Sequence, residues 1–184
     1  KYLLPCPKDA GREPFREPQG KTYAGPVLLA TDDGVDCDPE TDDTESIRRF
    51  LGRLSAVKGG IGVLQATLLR ISGSLPLSGD FLLVGAGVPV IETANDTFDV
   101  FSVDAEARVT VRDIQFRGGR SVVDVPAGAA VRMEGCFAYD PKMPAVRVRK
   151  DGRFAMDGCV VYARYLYEGD GVGFLGSTWF RYLS

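Results

Sequence analysis

Residues Gly59 to Gly87 read GGIGVLQATLLRISGSLPLSGDFLLVGAG. Two glycines open the stretch, and short leucine-rich and β-branched runs follow, broken by Gly, Ser and Pro. The runs are too short for helices and the breaks are turn chemistry, so they predict a series of strands.

Downstream, one spacing recurs. Phe101 and Val103 align with Val123 and Val125, then with Val146 and Val148, at offsets of 22 and 23. Val109 and Val111 align with Val131 and Met133, then with Phe154 and Met156. Ile114 aligns with Cys136, then Cys159. Three apolar mini-strands per period predict a solenoid whose coils stack in register. Alternation within each mini-strand sets an inward and an outward side. Outward, Asp124 falls between Ser102 and Arg147; Arg112, Glu134 and Asp157 form a second column; Tyr139 and Tyr162 form a third beside Arg117. Inward, Cys136 and Cys159 sit one rung apart, at about 4.8 Å. They read as a thiol ladder, because parallel stacking does not favour the torsion of a disulfide.

Upstream, Asp42 and Glu45 have capping-box spacing, with Asp43 and Thr44 as alternative caps. Ile47, Phe50, Leu51, Leu54 and Val57 then make one apolar stripe of an amphipathic helix. Arg48, Arg49 and Arg53 take the other face, and Gly59-Gly60 ends the element. Between Asp32 and Glu45 stand eight acidic residues and no basic one. Calcium is the sharp hypothesis, but Thr41 and Ile47 stand where an EF-hand needs glycine and glutamate. A solvated acidic loop fits better, and no metal or other cofactor is expected.

Residues 1–40 hold six of the eleven prolines and read as an extended arm, either a tied-down tail or a segment draped over a neighbouring subunit. Residues 41–60 form the capping helix, 61–166 the solenoid, and 167–184 an aromatic tail. That tail either caps the open end of the stack or binds a partner. Residue 1 is Lys, so the chain is expected to be trimmed or to be a segment of a longer product.

With 184 residues, 45 % apolar content and a net charge of −3, the chain is long enough for a real core, and its charge favours no nucleic-acid partner. The longest apolar run, Phe81 to Ile91, is too short to span a bilayer. The four cysteines show no CxxC pairing of a zinc site. Cys6 and Cys37 are the candidate disulfide, and Asn95-Asp96-Thr97 is a glycosylation acceptor if the chain is secreted by a eukaryote.

The order TDDT, helix, GG, strand, RISGSLPLSG, LLVGAG over Thr41 to Gly87 resembles the start of the pectate-lyase-like right-handed β-helix superfamily, which includes polysaccharide lyases and hydrolases and phage tailspikes. The resemblance implies an all-β, short right-handed parallel β-helix of about four coils. Its helix would lie over the first coil through Ile47, Phe50 and Leu54. Polysaccharide cleavage on such a scaffold needs a carboxylate pair, or calcium with a basic residue. The candidates are Asp124 with Arg147, and Glu134 with Asp157 beside Arg112. All lie on outward columns, where charges serve solubility and cross-coil pairing. Tyr139 and Tyr162 are the candidate glycan-stacking pair. The function expected is a non-catalytic structural protein of a virion, tail or extracellular lattice. It would join other subunits through the arm and the tail, with a polysaccharide-degrading enzyme or a glycan-binding module as the alternatives.

Overall fold

The computed structural model describes residues 4–5, 23–36, 38, 40–169, 172–175 and 179–182. Strand β1 is Leu4–Pro5 and β2 is Val27–Leu29, followed by a 3-10 turn at Ala30–Asp33 and helix α1 at Thr44–Ser55. Then the chain winds. The first turn comprises β3 (Gly60–Leu64), β4 (Leu68–Ile71) and β5 (Leu75–Leu77). The second comprises β6 (Asp80–Gly85), β7 (Val90–Thr93) and β8 (Phe101–Val103). The third holds β9 (Arg108–Arg112), β10 (Gln115–Arg117) and β11 (Val123–Val125). The fourth holds β12 (Ala130–Glu134), β13 (Phe137–Tyr139) and β14 (Val146–Val148). The fifth holds β15 (Arg153–Asp157), β16 (Val160–Ala163) and β17 (Tyr167–Gly169), and β18 (Val172–Leu175) and β19 (Trp179–Tyr182) begin another.

Successive turns pair in parallel to make three sheets. Their orders are β2-β3-β6-β9-β12-β15-β18, then β1-β19-β16-β13-β10-β7-β4, then β17-β14-β11-β8-β5. The chain is a parallel β-solenoid, with five turns counted on the five-stranded sheet rather than the expected four. The stretch read as an aromatic tail completes the fifth turn with β17, and its β18 and β19 continue the other two sheets. Val27–Leu29, from the stretch read as an arm, pairs in parallel with β3 and begins the first sheet.

The periodic register is the register of the stack. Val123 pairs with Phe101 and Val146, Val131 with Val109 and Phe154, and Met133 with Val111 and Met156. These side chains, with Leu69, Ile91, Phe116 and Val161, fill one continuous core between the sheets. Three successive corners from the first sheet to the second use a left-handed residue. Asp113, Gly135 and Gly158 take it in turn, with φ of 55°, 59° and 61°; glycine does so at no steric cost and aspartate tolerates it.

Helix α1 closes the first turn. Ile47, Phe50, Leu51 and Leu54 are buried, and the helix packs on β3, β5 and β6. Close approach needs glycine beneath it. A Cβ on Gly62 would lie 2.4 Å from Leu54 Cδ2 and 2.8 Å from Phe50 Cζ. The start differs from the expected capping box. Glu45 pairs with Arg48, while the Asp42 carboxylate accepts from the Thr44 backbone N–H at 3.0 Å and from the Thr44 and Ser72 hydroxyls. The helix is thereby tied to the turn after β4. It ends at Ser55, before the glycine pair, and Gly59 then takes a left-handed conformation at φ 69°.

Candidate functional site

Each sheet carries one outward column of polar side chains. On the five-stranded sheet the register runs Pro76, Ser102, Asp124, Arg147, Glu168. Asp124 and Arg147 are cross-coil neighbours, as the period predicts, with Arg147 Nη2 3.1 Å from Asp124 Oδ2. The same nitrogen donates to Asp99 Oδ2 at 2.7 Å. Asp99 also accepts from Arg120 through Nε at 3.0 Å and Nη2 at 2.6 Å. Arg149 donates to Asp124 through the same two positions, at 3.0 and 2.7 Å.

Three guanidiniums and two carboxylates therefore form one chain of bonds, Arg120–Asp99–Arg147–Asp124–Arg149, across three successive turns. Its middle is the driest part: Asp99 is 7 % exposed and the Arg147 side chain 15 %. The Asp99 carboxylate holds the Arg120 guanidinium above its ordinary range, and Asp124 does the same for Arg149. Over this cluster lies an open groove of about 300 Å³, lined by Ser74, Phe101, Ser102, Arg120 and Arg149 together with the two aspartates.

The groove exists because the connections between the second and third sheets lengthen in the middle of the stack. Residues 94–100, 118–122 and 140–145 make these connections, against 72–74 and 164–166 at the two ends. Asp99 and Arg120 belong to these longer connections and so fall outside the repeat. Periodicity carries no signal for them. Arg149 lies two residues beyond Arg147, and the Arg-x-Arg alternation was the one available sign of it.

The second column runs Val84, Arg112, Glu134, Asp157. Here Arg112 Nη2 lies 2.5 Å from Glu134 Oε2, Arg132 Nε lies 2.6 Å from Glu134 Oε1, and Arg132 Nη2 lies 3.3 Å from Asp157. Glu134 and Asp157 thus stand on adjacent rungs, as the register predicts, and arginines hold both. The third column runs Arg70, Glu92, Arg117, Tyr139, Tyr162. Glu92 bridges Arg70 and Arg117 at 3.4 and 3.3 Å. The Tyr139 and Tyr162 rings are 6.2 Å apart but tilted by 48°, and Phe137 lies 5.2 Å from Tyr162. The tyrosines do not form a flat platform.

The remaining candidates are dispersed. Cys136 and Cys159 are free and buried, consistent with a ladder of inward thiols. Burial, reinforced by the neighbouring Cys159, pushes the Cys136 thiol well above its ordinary range, and each thiol donates to a carbonyl of the turn before its own, Val111 and Met133 respectively. Asn95 is exposed, and its Oδ1 accepts from the Thr97 backbone N–H at 3.0 Å. Cys6 and Cys37 lie outside the described residues. In the acidic loop, Asp33 pairs with Arg53, and Asp36 and Asp38 each accept a backbone N–H two residues on. Among the described residues, no group of three His, Cys, Asp or Glu side chains is arranged to hold a metal ion, and no helix is long and apolar enough to cross a membrane.

No family model, curated protein or solved structure matches the chain. What the geometry itself defines is a β-solenoid whose outward charges are organised as cross-coil ion-pair ladders.

Proposed function

We propose that the chain is a non-catalytic structural element of an assembly such as a virion, tail or extracellular lattice, with its solenoid serving as a rigid spacer. The observation that carries this reading is the bridge of Arg147 to both Asp99 and Asp124. Cleavage of a glycosidic bond asks a carboxyl group to gain or lose a proton during turnover. Here Asp99, Asp124, Glu134 and Asp157 each accept from an arginine, so their chemistry is that of coil-to-coil staples. Light scattering on undenatured protein from its source tests the reading. A discrete large particle containing other chains is expected; a monomer or small oligomer would sink the proposal.

One observation favours a second reading, a glycan-binding surface. The groove above Ser102 presents the Ser102 hydroxyl and the guanidiniums of Arg120 and Arg149 beside the carboxylates of Asp99 and Asp124, a set of donors and acceptors suited to sugar hydroxyl groups. Glycan-array binding that disappears in Arg149→Ala would favour it over the spacer.

A further inference from the structure

The groove over the Asp99–Arg147 bridge has unspent hydrogen-bonding capacity of both kinds. A guanidinium carries more N–H donors than one carboxylate can accept. Arg120 gives Nε and Nη2 to Asp99, and Arg149 gives the same two positions to Asp124. Nη1 of each is left without an acceptor among the described residues, on a side chain already held in place by its aspartate. Asp124 accepts only from Arg149 and Arg147, and its side chain is 21 % exposed. Ser102 is exposed on the outward side of β8, and its hydroxyl bonds to no described residue. Val103 and Pro126 contribute apolar lining.

We infer that this groove is a binding site for a neutral glycan, selecting uncharged sugar units over uronic acids and amino sugars. This deepens the glycan-binding reading above and rests on it. Charge decides the class. The cluster holds three guanidiniums against two carboxylates, each already in an ion pair with another of the five. A ligand carboxylate that reached Arg120 or Arg149 would stand beside Asp99 or Asp124, and like charges brought together are costly. Its attraction to guanidiniums that are 45 % and 62 % exposed is worth little in return. A ligand ammonium would meet guanidiniums on both flanks of carboxylates whose charge is already balanced. A sugar hydroxyl brings no charge, and it donates and accepts at once. Its oxygen takes an Nη1 proton and its own proton goes to Asp124, so the ion pairs stay intact. Neighbouring hydroxyls on one ring repeat that pairing, while the ring's C–H groups meet Val103 and Pro126. Apolar lining with a few placed polar groups is the usual make-up of a small-molecule site.

Titration calorimetry on the full chain tests this. The probes are neutral tetrasaccharides cut from glucan, mannan, galactan and xylan, with the tetramers of galacturonic acid and of glucosamine as the charged arms. At least one neutral tetramer is expected to bind, about tenfold or more tighter than either charged one, with a Kd that does not move with salt. Ser102→Ala removes a hydroxyl that the fold does not use. It should weaken that binding about fivefold and leave thermal unfolding unchanged. Arg149→Lys keeps the charge beside Asp124 but loses the free Nη1, and should weaken binding by a similar factor. A charged tetramer that binds more tightly than every neutral one would overturn the neutral class and leave the glycan-binding reading standing. Neutral binding that neither variant weakens would overturn the groove as its site. Absence of binding by every tetramer would sink the glycan-binding reading itself, and this inference with it.

Discussion

Arg147 reaches back two turns of the solenoid to Asp99, with Nη2 2.7 Å from Oδ2, and touches Asp124 of the intervening turn on the way. Removing Asp99 takes away the shorter of the two carboxylate contacts of Arg147, leaving it Asp124 at 3.1 Å, and the partner of Arg120 as well. Asp99→Ala should therefore cost about 2 kcal/mol. Asp124→Ala leaves Arg147 paired with Asp99 and frees only the exposed Arg149, so about 1 kcal/mol or less is expected. Urea unfolding of the two variants side by side gives the comparison. Equal losses would mean that the bridge has no privileged centre.

The seat of the capping helix is equally specific. Gly62→Ala places a methyl group where Leu54 and Phe50 now sit, and crowding of a packed core typically costs about 1–3 kcal/mol. Gly52→Ala, where a Cβ meets nothing within 4 Å, should stabilise by up to about 1 kcal/mol through helix propensity. Thermal unfolding that moves both variants the same way would show that the helix does not press on the first turn.

Neighbouring aspartates at the helix start should respond oppositely to pH. Burial raises the Asp43 carboxyl above its ordinary 3.8 and outweighs the stabilising hydrogen bond that Asp43 accepts from the Asp36 backbone N–H; its Oδ2 has no hydrogen-bond partner among the described residues. The folded state then holds a proton that the unfolded state releases, so stability falls as pH rises from about 3.8 through the raised value. Asp43→Asn should unfold at a higher temperature than the parent at pH 7, by about 1–3 kcal/mol in stability, and lose that advantage below pH 4. Burial also acts upward on Asp42, but hydrogen bonds from Ser72 and Thr44 outweigh it and hold the carboxyl below 3.8. Its contribution is present above that value and disappears as pH falls through the lowered one. Asp42→Asn should therefore be the less stable protein at neutral pH.

The stacked thiols should be chemically silent. With Cys6 and Cys37 replaced by serine, a thiol reagent at pH 7.5 should modify neither Cys136 nor Cys159 in the native state, because both are buried and the Cys136 thiol resists ionisation. Modification should appear only with global unfolding and follow the same denaturant curve. Rapid stoichiometric reaction of the folded protein would contradict the inward placement.

The repeat was legible because the core of a solenoid is a set of apolar columns, and a column leaves a fixed offset in the chain. Val123, Met133 and Cys136 could be assigned to the interior, and Asp124, Glu134 and Tyr139 to the exterior, from spacing alone. Two parts were hidden for different reasons. In the final turn, Val161 to Phe180 and Phe154 to Val172 depart from the period, so aromatic residues that continue the sheets looked like a separate tail. Asp99 and Arg120 sit in connections whose lengths vary from turn to turn, and nothing local in sequence announces that two loops will meet over one arginine. Capping at Asp42 was obscured in a third way: its partner Ser72 lies across the first turn, beyond the reach of a local pattern.

Pairing of β1 with β19 also changes how such a molecule comes apart. A linear array of coils ordinarily frays from its last repeat, because a terminal coil has one neighbour instead of two. Here the last described coil is buttressed by β1, so peeling it away must also release that strand. During synthesis the same contact forms late. It joins positions separated by nearly the whole chain and must wait until β19 has emerged, which makes it a late, high-contact-order step. A nascent chain that has not yet exposed β19 would therefore leave β1 without this partner.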